Sequence, residues 1–270
     1  MLVERFFPSN SSNYQKFKSF FNRLGDTLDE KDIIQLFTIW TFTVSGFVLD
    51  VGLNDRFVYW EWSGWLLGSI KLGFVTAIFL MILKPKEIWV AGNKRMSLNE
   101  FWTHLGIVIL FLIIGWINLD SSFNELIKLI PYALAFIAGL TIFQFIVEYD
   151  QTKGEWYNLN WEKKELFLGS SATLLFISIL LGFYFDDPII STASIISLPF
   201  PVIALLWSSH VRHLQRARFY PLFILAMLLC VRAPWFFIPL AGLFYMLRTV
   251  NYFRYGIVHP SFGVDLPEDL

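Results

Sequence analysis

Cysteine is almost missing from this chain. Cys230 is the single one in 270 residues, which excludes an internal disulfide, a cysteine-based zinc site and an iron–sulfur cluster. Histidine is scarce as well: His104, His210, His213 and His259 are too few for a His-rich di-iron centre. Only His104 falls in a hydrophobic run, so bis-histidine haem ligation across a bilayer is also out of reach. HExxH, GxSxG, Walker-loop, CxxC and GxGxxG patterns are all absent. Residues 1–33 hold no apolar core followed by a small-residue cleavage site, so a signal peptide is not expected. Charged residues make up only 16%, too few to coat a soluble domain of this length. No basic domain or basic–aromatic stripe stands apart from the apolar runs, and nucleic acid is not an expected partner.

What the chain has is apolar length. Hydrophobic residues are 56% and aromatics 19%, with a mean hydropathy of +0.55. The runs are continuous rather than alternating, which predicts helices and not a barrel, because a bilayer core demands that every backbone group be satisfied internally. The fold class expected is all-α, a polytopic transmembrane helix bundle of about eight spans. Six are placed at 34–53, 62–83, 101–119, 127–147, 166–185 and 189–207, each near the ~20 residues a bilayer core requires. Trp40, Trp60, Trp62, Trp65, Trp102, Trp116 and Trp161 gather toward the span ends, as an aromatic belt does.

The last run, 219–247, would be about 43 Å long as one helix, too much for a ~30 Å core. Arg232-Ala233-Pro234 interrupts it. Two short helices at 216–231 and 235–251 are therefore expected, with a re-entrant hairpin as the alternative of the same parity.

Charge sets the orientation. Lys and Arg number 5 in 1–33, 4 in 84–100, 3 in 149–165 and 3 in 208–218. The interleaved segments 54–61, 120–126 and 186–188 carry 1, 0 and 0, and hold Asp55, Glu61, Asp120, Glu125, Asp186 and Asp187 instead. By the positive-inside rule both termini are cytoplasmic and the protein is integral to a membrane, the cytoplasmic membrane in a bacterium. Three regions follow: a cytoplasmic tail 1–33, a helical membrane domain 34–251 and a cytoplasmic tail 252–270.

Within the first tail, Phe17, Phe20, Phe21 and Leu24 share one face, while Lys16, Lys18 and Arg23 take the others. Residues 13–24 read as an amphipathic helix on the cytoplasmic leaflet, or as a partly ordered basic tail. A weak repeat links spans one, three and five: Gly46-Phe47 to Asp50, Gly115-Trp116 to Asp120 and Gly182-Phe183 to Asp186. Polar stripes recur at Thr38, Thr41 and Ser45, at Thr141, Gln144 and Glu148, and at Ser191, Ser194 and Ser197. They read either as helix contacts or as the wall of a polar cavity opened beside Pro199 and Pro201.

The densest candidate site is the loop His210-Val211-Arg212-His213-Leu214-Gln215-Arg216-Ala217-Arg218. If it is helical, His210 and His213 are neighbours, as are Arg212 and Arg216. Guanidiniums so placed suit an anionic head group, with Arg212, Arg216 and Arg218 as binders. His210, His213 and Glu148 are the candidates for moving a proton. The plain alternative is a basic loop touching anionic lipid heads. Lys71 is the sharpest single residue, since an ion inside a span costs at least ~2.5 kcal/mol near the centre. Asp50 is its candidate partner. No metal site is expected, and no cofactor can be named.

The span order, with substantial loops after spans two, four and six, resembles that of UbiA-type prenyltransferases. That family binds Mg-diphosphate through aspartate-rich motifs after spans two and six. Here Lys84–Glu100 has no aspartate and Ser208–Arg218 has no acid. The one similar spacing, Asn22…Asp26…Glu30, precedes span one, so no catalytic residue carries over.

Three functions stay open. One is a membrane enzyme or binding protein for a lipid or isoprenoid with an anionic head on the cytoplasmic face, with Asp150 or Glu148 near it. The second is a small-solute or ion permease using Lys71 and Asp50. The third is an assembly subunit whose stripes are packing contacts. Membrane lipids are the expected partners, with another membrane subunit under the third reading.

Overall fold

The computed structural model describes residues 2–50, 60, 62–83, 95–118, 123–150, 155–158, 161–208 and 211–256. His210, His259, Asp55, Glu61 and Asp120 lie outside the described residues, as do the side chains of Asp50, Glu148, Asp150 and Arg212.

A short helix α1 (Leu2–Phe6) precedes α2 (Ser12–Glu30). Helix α2 is longer than the amphipathic stretch read from sequence, because Ser11 caps it by accepting the Tyr14 amide at 3.1 Å. It ends where Asp32 takes a left-handed conformation, φ 49°, and the chain bends by 60° into α3 (Leu36–Asp50). Next come α4 (Trp65–Ile78), prolonged by a π-helical turn over Phe79–Leu83, and α5 (Leu98–Trp116). Helix α5 starts on a capping box in which Ser97 and Glu100 satisfy each other's amides. Helix α6 (Ile130–Ile142) is followed by an antiparallel hairpin of β1 (Val147–Asp150) and β2 (Glu155–Asn158), an addition to the all-helical expectation. Then come α7 (Lys164–Tyr184), α8 (Pro188–Ser197), α9 (Pro199–Leu206), α10 (Val211–Arg232) and α11 (Phe237–Tyr255).

The protein is an all-α, multi-pass membrane bundle. Among the described residues six helical segments are long and apolar enough to cross a bilayer, and the bent α2–α3 pair passes the same test as a seventh. Trp65–Met81 is a shorter apolar helix, so the expected 62–83 pass falls short of a full span by length. The last two passes are not a short hairpin. His213–Arg232 and Pro234–Tyr255 are each long enough to cross, because residues assigned to flanking loops are helical at both outer ends.

Contacts show the passes running in alternation. Trp40 of α3 donates its indole N–H to Thr76 of α4 at 2.8 Å, and Ser178 near the end of α7 donates to the Pro131 carbonyl at the start of α6, also at 2.8 Å. Helices α3 and α5 instead run parallel and cross at two glycines. A Cβ on Gly46 would lie 2.0 Å from the Leu112 carbonyl oxygen, and one on Gly115 would lie 1.9 Å from that of Thr43. The pairing is reciprocal: each glycine rests on the residue three before the other. Small residues allow such backbone approach where no hydrophobic gradient drives helices together. The glycines of the weak sequence repeat are thus contact points, Gly182 included, whose Cβ would meet Ser191 of α8.

Part of each of two polar stripes is spent on carbonyls four residues back. Thr41 donates to the Phe37 carbonyl, Ser45 to that of Thr41 and Ser191 to that of Asp187. Between α7 and α8, the buried Asp187 carboxylate accepts from the Ile189 and Ile190 amides at 2.9 and 3.2 Å and from the Tyr132 hydroxyl at 2.7 Å. Burial raises its pKa above the usual aspartate range, against those hydrogen bonds, which lower it.

Helix α11 covers part of the apolar face of α2, leaving Phe17 and Phe20 exposed. The Phe21 ring stacks on Phe253 at 4.2 Å, and the Tyr14 hydroxyl donates to the Phe253 carbonyl at 2.9 Å. Tyr252 in turn donates to the Phe7 carbonyl at 2.6 Å. This contact brings the two described termini to one end of the bundle.

A cavity walled by seven helices

Toward the end that holds the termini, the helices leave a cavity of about 500 Å³. That volume sits inside the range of small-molecule sites. Phe42 of α3, Phe136 and Leu140 of α6, Leu175 of α7 and Leu222 of α10 supply an apolar lining. Space exists because the residues facing it are small or cannot extend a regular helix contact. Ala135, Gly139 and Ala193 line it, and a Cβ built on Gly139 meets no atom within 4 Å. Pro221, inside α10, also lines it and has no amide to donate to the preceding turn.

One end of this cavity is polar. Asp29 closes α2, Gln35 precedes α3, and Asn251 and Arg254 come from the last turns of α11. Arg254 already has anionic partners, Asp29 at 2.6 Å and Asp26 at 3.1 Å. Arg218, in the second turn of α10, does not. It is 8% exposed, donates through Nη2 to the Phe145 carbonyl just past α6, and holds its guanidinium 5.2 Å from the centre of the Phe143 ring. Its Nε is buried with no hydrogen-bond partner. An ionic donor left in that state costs more than a neutral one.

The candidate residues read from sequence are divided by this arrangement. Arg218 is in the cavity wall. Arg216, two positions earlier and so on nearly the opposite helix face, is exposed. His213 is half-buried, one turn before Arg216. Glu148 lies on β1 with its backbone paired to Tyr157, close in sequence to the Phe145 carbonyl that holds Arg218. Of the serine and threonine stripes, Thr38, Ser194 and Ser197 reach the cavity, and Ser194 also shares a 2.9 Å hydrogen bond with Ser178.

Lys71 lies at the other end of the bundle. Its ammonium donates to the carbonyls of Gly115 at 2.5 Å and Ile117 at 2.8 Å, and sits 5.4 Å from the centre of the Phe47 ring. Those carbonyls belong to the C-terminal end of α5, where backbone oxygens lack helical partners and the helix dipole is negative. Sequence reading missed Asp29, Asn251 and Arg254, which it assigned to tails and a span end. The signal available was the i, i+3 spacing of Asn251 with Arg254 and of Asp26 with Asp29.

Among the described residues no group of three His, Cys, Asp or Glu side chains converges as a metal site would. Compared with known proteins, the chain matches no protein-family model, no curated protein and no solved structure.

Proposed function

We propose that this membrane protein binds a lipid or isoprenoid with an anionic head, as a carrier or as an enzyme acting on it. The tail lies in the apolar cavity and the head meets Arg218. By the positive-inside count this end faces the cytoplasm. The observation that carries the reading is a buried arginine, with no anionic partner among the described residues, in the wall of a largely apolar cavity of about 500 Å³. Arg216, exposed on the same helix, together with Arg212, draws anionic ligands to the membrane surface at this point. His213 and Glu148 stand as the groups through which a reaction on the head would pass protons. Lys71, engaged with helix-end carbonyls, serves α5 packing in this reading.

Native mass spectrometry of the gently extracted full chain tests this. The expected result is a stoichiometric amphiphile mass retained by the wild type and reduced about tenfold by Gly139→Leu, which fills the cavity. A bare wild-type chain that also fails to take up any added anionic amphiphile would overturn the proposal.

A further inference from the structure

The structure divides the apolar stripe of residues 13–24 between two surroundings. Phe21 turns to α11 and stacks on Phe253, whereas Phe17 and Phe20 stay exposed. Helix α1 adds two more exposed apolar side chains, Leu2 and Phe6. We infer that this face of α1 and α2 docks on the bilayer leaflet at the termini end of the bundle, and that it selects anionic phospholipid. Docking of this face does not depend on what the cavity binds.

The four side chains form one row. Leu2 and Phe6 are a turn apart on α1, and Phe17 and Phe20 are a turn apart on α2. The two pairs are joined where the Phe7 ring, next to Phe6, meets the Phe17 ring edge-on at 5.6 Å. A continuous row of exposed large side chains marks an interaction surface. Helix α2 is not apolar enough to cross a bilayer by itself, and its axis is turned 60° from that of the apolar α3. With α3 along the membrane normal, α2 runs nearer the membrane plane than the normal, as an interfacial helix does.

Charge is ordered around the row. From Arg5 to Arg23 the chain has four basic residues and no acid. Lys16 and Arg23 are exposed and stand four residues before and three after Phe20, so both border the row on its open side. The acids of α2 begin at Asp26, and Asp26 and Asp29 are turned to Arg254 of α11. An apolar row with a basic border fits a layer that is apolar inside and anionic at its surface. A second copy pairing through the same face would bring like charges together.

The test is nitroxide labelling of the full chain, carrying Cys230→Ala, in phosphatidylcholine nanodiscs with and without phosphatidylglycerol. One label is placed through Phe20→Cys and a control through Gln15→Cys, an exposed position on the far side of α2 from the row. With phosphatidylglycerol present, the ratio of oxygen to aqueous nickel-chelate collisions should be at least about fivefold higher at position 20 than at 15. Omitting phosphatidylglycerol, or combining Arg5→Gln, Lys16→Gln and Arg23→Gln, should cut that ratio at least about fivefold, the factor one cation near an anionic surface is worth. Equal ratios at the two positions would place the row in water and overturn the proposal. So would a label at position 20 shielded from oxygen and nickel alike, or broadened by a second label, since a protein partner or a second copy would then cover the row. A high ratio that ignores both lipid charge and the triple variant would overturn the selection of anionic phospholipid. If the labelled chains fold poorly, amide exchange of residues 2–24 in the wild type decides: phosphatidylglycerol should slow it at least about fivefold, and unchanged exchange would overturn the proposal.

Discussion

The two ends of the bundle solve opposite packing problems. At the end away from the termini, α3 and α5 meet backbone to backbone through Gly46 and Gly115, and Lys71 of α4 closes the carbonyl end of α5. At the termini end, small residues of α6 and α8 face one another across open space, and a buried arginine keeps a donor unused. Both regions use glycine and one intramembrane cation. The difference is how far each is satisfied by the protein: Lys71 has two carbonyls, whereas Arg218 has one carbonyl and a buried Nε without a partner. A small residue is a contact point in the first region and the absence of one in the second.

Glycine substitutions break this comparison most sharply. Gly115→Ala should destabilise the protein by about 3 kcal/mol, since its Cβ would meet the Thr43 carbonyl oxygen, which is backbone and cannot move aside alone. Gly139→Ala should instead be neutral or stabilise by up to about 1 kcal/mol, through helix propensity. Unfolding midpoints of the two variants in one detergent check the contrast, and equal midpoints would erase it.

Lys71→Met comes next. Losing two charge-assisted hydrogen bonds to helix-end carbonyls should cost about 2 kcal/mol in thermal unfolding, with ligand binding at the far end unchanged. A variant of wild-type stability that loses solute uptake in proteoliposomes would return Lys71 to the permease reading. Arg254→Gln sharpens the other end more gently. Its carboxylate partners are 71% and 63% exposed, so the loss should stay below about 1 kcal/mol, read as faster proteolysis between α2 and α3.

The smallest effect is a pH slope. Burial raises the folded pKa of Asp187 above its unfolded value of about 3.9, so the folded state holds that proton more tightly. This contribution is full below the unfolded value and is lost as pH rises through the folded one. Wild-type midpoints should therefore decline over that window. Asp187→Asn, which keeps an N-cap oxygen, should flatten the decline.

The sequence by itself determined the class of this protein and most of its helices. An apolar run long enough for a bilayer has few alternatives to a helix, because hydrocarbon offers the backbone no other hydrogen-bond partner. The three repeated glycines and the intramembrane Lys71 were also visible, since both are anomalies against a local background. Their partners were not. Nothing in the residues around Arg216 and Arg218 says that one faces outward while the other is held by Phe145, nor that Arg254 meets Asp26 and Asp29 from the far end of the chain. A cavity is the space that several helices together fail to fill. It therefore depends on crossing geometry and on side chains contributed from distant segments, and only the tertiary structure decides where that space lies and which charge is left to face it.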